Sequence, residues 1–190
     1  MIATYTALYD ANVLYSAPLR DLLMRMAMED IYLARWTDAI HDEWIRSLLE
    51  KRPDLNAEQL HRTRLLMNSH VRDCLVTGYE SLIESLVLPD PNDRHVLAAA
   101  IKARADVIVT ANLSDFPSEN LEPYGIEALH PDDFIVYQFD LNEAAVCRAV
   151  RKQRAGLKNP PMTVEQLLEI LAGQSLPKTV GRLRPFAQLL

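Results

Sequence analysis

This sequence has few of the features that stabilise small exported domains or anchor proteins in a membrane. It holds two cysteines, Cys74 and Cys147, in 190 residues. Their spacing is not that of a metal-binding pair, and two thiols do not make a disulfide scaffold. Both are expected as small core residues in a reducing cytoplasm. No apolar run reaches the ~18 residues that a membrane helix needs. The opening stretch "MIATYTALYDANVLYS" lacks a basic start, a long apolar segment and a cleavage site, so no export signal is expected. The five histidines (41, 61, 70, 95 and 130) form no close ligand pair, which argues against zinc. There is no internal repeat and no low-complexity run.

Basic charge is scarce over most of the chain. Residues 1–140 carry 12 Lys+Arg against 23 Asp+Glu, a net charge of −11. Residues 141–190 carry eight against three, a net charge of +5. A body this acidic does not draw in a polyanion through its overall field. If the protein handles nucleic acid, a bound cation or the basic tail must reverse the sign locally.

What is present is an ordinary globular composition, 49% hydrophobic and 24% charged, enough for one core with an appendage. Strand-like segments are expected at 4–10 ("TYTALYD"), 31–35 ("IYLAR"), 85–89 ("SLVLP"), 105–110 ("ADVIVT") and 125–129 ("GIEAL"). Helices are expected at 18–29, at 37–51 capped by Thr37 or Asp38, and at 56–75 capped by Asn56. The segment from 130 starts a helix or turn, and 141–154 is helical. Strands alternating with helices predict an α/β/α sandwich around a mostly parallel sheet. The almost wholly apolar 105–110 fits a strand covered on both faces. Residues 155–161 read as a linker. Thr163 and Gln166 then have the spacing of a capping box, and Gly173 can end that helix. The expected division is a domain over 1–140 and a basic helical extension over 141–190.

Acidic and amide side chains recur where these strands end. Asp10 ends the first strand. Asn112 and Asp115 follow the strand at 105–110, in "VTANLSDF". Asp93 follows the segment at 85–89, in "LPDPNDRHVLAAAI". Each has a plain structural reading. Pro91 suits the first helical position, making Asp90 an N-cap and Asp93 a complement to the positive helix end. Asp10, Asn112 and Asp115 suit turns and caps. Convergence favours a site, because ligands of open parallel sheets sit beyond the C-terminal strand ends. Clustered carboxylates repel one another, and a hard divalent cation, Mg²⁺ or Mn²⁺, removes that conflict. Such an ion activates water and stabilises charge on a phosphoryl group.

With those segments placed, the sequence resembles the PIN-domain family, and especially the VapC-type ribonuclease toxins of toxin–antitoxin pairs. The match rests on "ALYDANVLYS", an acid in an early helix, "NDRHVLAAAIKARAD" and "VIVTANLSDFP", in order over roughly residues 4–135. The resemblance implies a metal-dependent endoribonuclease with Asp10 and Asp93 as metal ligands. It implies that Asn112 or Asp115 fills the fourth position, after Thr110. The helical acid is Glu43 by the family pattern. Periodicity does not choose between Glu43 and Asp42, which can pair with Arg46. Asp90 is a cap first and a metal neighbour second; Asn12 and Ser16 can approach the site. His95 is expected to point away from Asp93.

The resemblance further implies an RNA substrate, a homodimer and an antitoxin whose peptide enters the acidic groove. Arg148, Arg151, Lys152, Arg154 and Lys158 of the extension either hold RNA phosphates or form a solvated helix face. Two rival readings stand beside it. A haloacid-dehalogenase-type phosphatase also starts with a strand ending in Asp, but it needs an acid two residues later, where this chain has Asn12. A PIN-like scaffold that binds RNA or protein without cutting is the other.

Overall fold

The computed structural model describes residues 5–190. Along the chain, β1 (Thr6–Tyr9) is followed by α1 (Ala11–Tyr15), α2 (Ala17–Ala27), β2 (Leu33–Arg35), α3 (Asp38–Lys51) and α4 (Ala57–His70). Next come α5 (Arg94–Ala103), β3 (Val107–Val109), α6 (Ser118–Leu121) and β4 (Glu127–Leu129). Four helices complete the chain: α7 (Pro131–Leu141), α8 (Glu143–Gly156), α9 (Val164–Ala172) and α10 (Pro177–Leu183). Thr4, the first residue of the expected opening strand, lies outside the described residues.

The four strands form one all-parallel sheet in the order β2-β1-β3-β4, with helices flanking it, as expected for the α/β/α class. The central strands β1 and β3 are fully buried, in keeping with their unbroken apolar sequence. Their register pairs Tyr9 with Val109, so the residues that follow, Asp10 and Thr110, leave the sheet side by side. Residues cluster into two compact units. One holds Met1–Tyr15 and Tyr32–His130; the other holds Ser16–Ile31 and Pro131–Leu190.

In the first unit, α3 begins as its sequence predicts: the Thr37 side chain accepts from the Ile40 N–H at 3.0 Å. Asn56 caps α4 in the same way. That helix stops at His70 instead of running to 75. Residues 74–76 are drawn into an extended pairing with Trp36, whose N–H donates to Cys74 O at 2.9 Å. A buried polar hub holds α3 and α4 together. Trp36 Nε1 donates to Asn68 Oδ1 at 2.8 Å, and Trp44 Nε1 donates to His41 Nδ1 at 3.0 Å. His41 Nδ1 is thereby an acceptor, so its Nε2–H donates to Asn68 Oδ1 at 2.9 Å.

The expected strand at 85–89 does not form. Residues Glu80–Ser85 make a 3₁₀ turn, and the chain beyond is extended but joins no ladder. Burial alternates along it all the same: Leu86 and Leu88 are buried while Val87 is 74% exposed. It reflects a segment lying with one side on the core, its Val87 carbonyl bonded by Asn120 Nδ2. Gly125, at φ +68°, supplies the left-handed residue that turns the chain into β4.

In the second unit, the Thr163–Gln166 capping box is present in both directions. Gly173 closes that helix, its N–H bonding Glu169 O at 3.0 Å. Glu29 carries two cations of α8, Arg148 at 2.9 Å and Lys152 at 2.7 Å. Burial works against the Glu29 carboxylate, but Lys152 and Arg148 outweigh it and hold its pKa below the ordinary value. Buried Asp132 accepts from the N–H groups of Lys178 and Thr179, which ties α10 to the start of α7. Cys74 and Cys147 are both buried free thiols.

Candidate metal centre

Two adjacent parallel strands deliver the first part of the site. Asp10 follows β1 and is 4% exposed. Both of its oxygens are used. Oδ1 accepts from the Ala11 N–H at 2.6 Å; Oδ2 accepts from Asn12 Nδ2 at 2.6 Å and Thr110 Oγ1 at 2.8 Å. Asn12 also reaches across to the second strand: its Nδ2 donates to Thr110 Oγ1 at 2.9 Å, and its Oδ1 accepts from the Ala111 N–H at 2.9 Å. The loop after β3 continues the network. Asn112 Nδ2 donates to Asp115 Oδ2, and Ser114 Oγ donates to Asn112 Oδ1 at 2.8 Å. Asn12, Thr110, Asn112 and Asp115 therefore form one connected polar rim with Asp10.

Asp93 arrives by another route than the sequence suggested. No strand precedes it. Pro91–Asp93 form a 3₁₀ turn that leads straight into α5. Asp90 is the cap, its carboxylate accepting from the Asn92 N–H at 2.8 Å. Asp93 makes no side-chain cap bond, so helix capping does not account for its carboxylate.

The electrostatics show which acids share the space. Asp10 is raised to about 6, chiefly by burial and also by Glu43, against the opposing hydrogen bond from the Thr110 hydroxyl. Asp93 is raised to about 7, by burial first and then by Asp10, Asp115, Asp90 and Glu43. The acid following β1, the acid beyond β3, the acids heading α5 and the acid on α3 all act on one carboxylate. Between the two neighbouring acids of α3, the structure separates the roles. Asp42 does not pair with Arg46, as its spacing allowed. It pairs with Arg64 at 2.6 Å, because α4 brings that guanidinium within reach of both Asp42 and Asp38. Glu43 stands instead beside His95, with Nε2 3.3 Å from Oε2.

His95 is the site neighbour that sequence reasoning missed. The sequence weighed His95 only against Asp93; in the fold its ring lies beside Glu43 of α3 instead. Its Nδ1 is buried without a partner. The second unit accounts for other expected residues. The Ser16 hydroxyl bonds Gln174 Oε1, and Arg148 and Lys152 are engaged by Glu29. Arg154 donates to Leu190 O at 2.9 Å and Met162 O at 3.2 Å, and Arg151 and Lys158 are exposed.

The donors suit a hard cation, since carboxylate and amide oxygens dominate and no thiol is near. Among the described residues, no three His, Cys, Asp or Glu side chains stand together as a ready-made cage. Mg²⁺ fits such an open arrangement, because it keeps several waters and takes few protein ligands.

A parallel sheet with acids gathered past the C-terminal ends of β1 and β3 defines a PIN-like fold, and the comparison with known families agrees on that fold. The chain belongs to the PIN-domain family, whose description matches residues 6–114. Residues 131–185 match a second family described as the VapC50 C-terminal domain. A Mycobacterium tuberculosis protein named "Putative ribonuclease VapC50" is 44% identical over 107 residues, which cover 56% of this chain and 62% of that protein. The chain thus spans less than two thirds of that relative. No solved structure matches the chain. Among the described residues, no helix is long and apolar enough to cross a membrane.

Proposed function

We propose that this protein is a Mg²⁺- or Mn²⁺-dependent endoribonuclease, the toxin partner of a toxin–antitoxin pair. The observation that carries the reading is the joint action of Asp10, Asp115, Asp90 and Glu43 on Asp93. Such repulsion favours a bound dication. The family membership and the name of the Mycobacterium relative support it.

Asp10 and Asp93 are the proposed metal ligands, with Glu43, Asp115 and Asn112 completing the acidic rim. The bound cation supplies charge stabilisation for the phosphoryl group and lowers the pKa of water. Asn12 and Thr110 fix the Asp10 carboxylate; Asn112 fixes Asp115. Hydrolysis adds water at phosphorus and breaks one P–O bond, so no side chain need become covalently attached. That separates the reading from a phosphatase of the haloacid-dehalogenase type. The latter needs a proton donor at residue 12, where the Asn12 amide is committed to Asp10 and Thr110.

The further parts of the reading are an antitoxin peptide entering the acidic rim, a homodimer, and a cytoplasmic setting that keeps both thiols reduced. The basic extension over 141–190 adds phosphate contacts. Arg151 and Lys158 are its most available residues, because Arg148 and Lys152 already answer Glu29 and Arg154 holds backbone carbonyls.

The test is RNA cleavage by purified protein with Mg²⁺ or Mn²⁺, with and without chelator, beside Asp10→Asn and Asp93→Asn. Cutting is expected only from the unmodified, metal-loaded protein. Full activity in either variant would remove that residue from the site, and a trapped aspartyl-phosphate would favour the phosphatase.

A further inference from the structure

A cavity of about 280 Å³ opens beside the carboxylates within the first unit. Asn12 and Tyr15 line it from α1; Glu43, Trp44, Ser47 and Lys51 line it from α3. Glu43, Ser47 and Lys51 follow at four-residue steps and so share one helix face. The row starts at an acid of the metal centre and ends ~12 Å along the axis at an ammonium group.

Lys51 is placed differently from Arg52 and Arg64. Arg52 is held by Asp54 at 2.6 Å, and Arg64 by Asp38 and Asp42. Among the described residues, Lys51 forms no ion pair. Its Nζ lies 5.1 Å from the centroid of the Tyr15 ring instead, which favours an ammonium without neutralising it. At the other end of the cavity, the Asn12 amide is bonded to Asp10, so the cavity is continuous with the proposed cutting site. Of the residues lining the cavity, Lys51 alone is cationic, within a stretch, residues 1–140, whose net charge is −11. A cation at the centre answers one phosphate only, and the phosphates on either side meet an acidic surface.

The geometry points to a subsite for a flanking RNA phosphate, held by the Lys51 ammonium with the Ser47 hydroxyl beside it, a nucleotide or two from the bond that is cut. The inference rests on the ribonuclease reading above. The subsite grips backbone charge, not a base edge, so it orients the strand without selecting sequence.

The experiment measures anisotropy of short fluorescent oligoadenylate and oligouridylate at several salt concentrations, with Ca²⁺ in place of Mg²⁺. Cleavage with Mg²⁺ is followed in parallel. Lys51→Gln should weaken binding about three- to tenfold on both oligomers and lower the salt slope by about 0.7, the loss of one single-strand phosphate contact. KM should rise more than kcat falls. Lys51→Arg should restore most of the affinity, and the charge-matched Lys102→Gln, outside this cavity, should leave the slope alone. Mg²⁺ affinity by calorimetry should not change in any of the three. If the unmodified protein cuts RNA while Lys51→Gln keeps its affinity and slope, the subsite is overturned and the nuclease stands. If the unmodified protein neither binds nor cuts either oligomer, the ribonuclease reading fails and the subsite with it.

Discussion

Thr110 Oγ1 donates to Asp10 Oδ2 at 2.8 Å across 100 positions of sequence. The bond exists because β1 and β3 are parallel neighbours in register, so their exits coincide. Thr110 therefore holds a carboxylate that burial alone would leave loosely placed and hard to ionise. Thr110→Val keeps the branched shape and removes the donor. It should lower Mn²⁺ affinity about 10- to 100-fold, the usual cost of losing a partner behind a metal ligand. Calorimetry on the folded variant checks it, and Thr110→Ser should stay close to the unmodified protein. Equal affinity in Thr110→Val would show that Asp10 needs no such support.

The raised carboxylates fix the sign of a pH dependence. Asp10 titrates near about 6 and Asp93 near about 7, both above the ordinary value. In the metal-free protein each favours the folded state while protonated. That contribution is complete below the unfolded pKa of about 4 and is lost as pH rises through the folded values. A divalent ion binds the ionised forms, so proton and metal compete. The rise in Tm produced by saturating Mg²⁺ should be small at about pH 5 and level off above about pH 7.5. Asp93→Asn should flatten that profile. A Mg²⁺ effect that grows as pH falls would contradict the site.

The contact between His95 and Glu43 carries a third expectation. His95 Nε2 stands 3.3 Å from Glu43 Oε2, and no residue satisfies the buried Nδ1. The imidazole thus steers Glu43, with its other nitrogen uncommitted. His95→Leu should lower kcat about tenfold or more, in the range seen when a partner behind a site residue is removed. His95→Gln, which keeps a polar group beside Glu43, should lose less. Identical losses in the two variants would point to packing as the role of His95.

How far the sequence led depended on whether local pattern or long-range contact decided each feature. Thr37, Asn56, Asp90 and the Thr163–Gln166 pair were legible because capping is settled within four residues. The parallel sheet was legible from apolar runs alternating with helices. Residues 85–89 differ from their strand expectation because a short apolar run fits any extended segment lying on the core, and only a partner strand makes it sheet. Asp93 still joined the other acids, since the turn after that segment brought it there. Asp42's partner Arg64 lies 22 positions away on another helix, and Lys51's lack of an ion pair shows only once the helices are packed. No periodicity encodes either.

The hub beneath α3 gives the last expectation, and it concerns stability. Asn68 Oδ1 accepts from both Trp36 Nε1 and His41 Nε2, and both of those residues are 0% exposed. Burial depresses the His41 pKa, consistent with a neutral ring that donates to Asn68 and accepts from Trp44. Asn68→Leu would leave two buried donors unpaired, at a cost of about 2–4 kcal/mol. Urea unfolding should register that loss as a lower midpoint with an unchanged slope. Because His41 and Trp44 flank Glu43 on α3, the same substitution should also reduce RNA cleavage at temperatures where the variant is still folded. A variant as stable as the unmodified protein would mean that the two donors find other partners and that Asn68 is not what fixes the helix bearing Glu43.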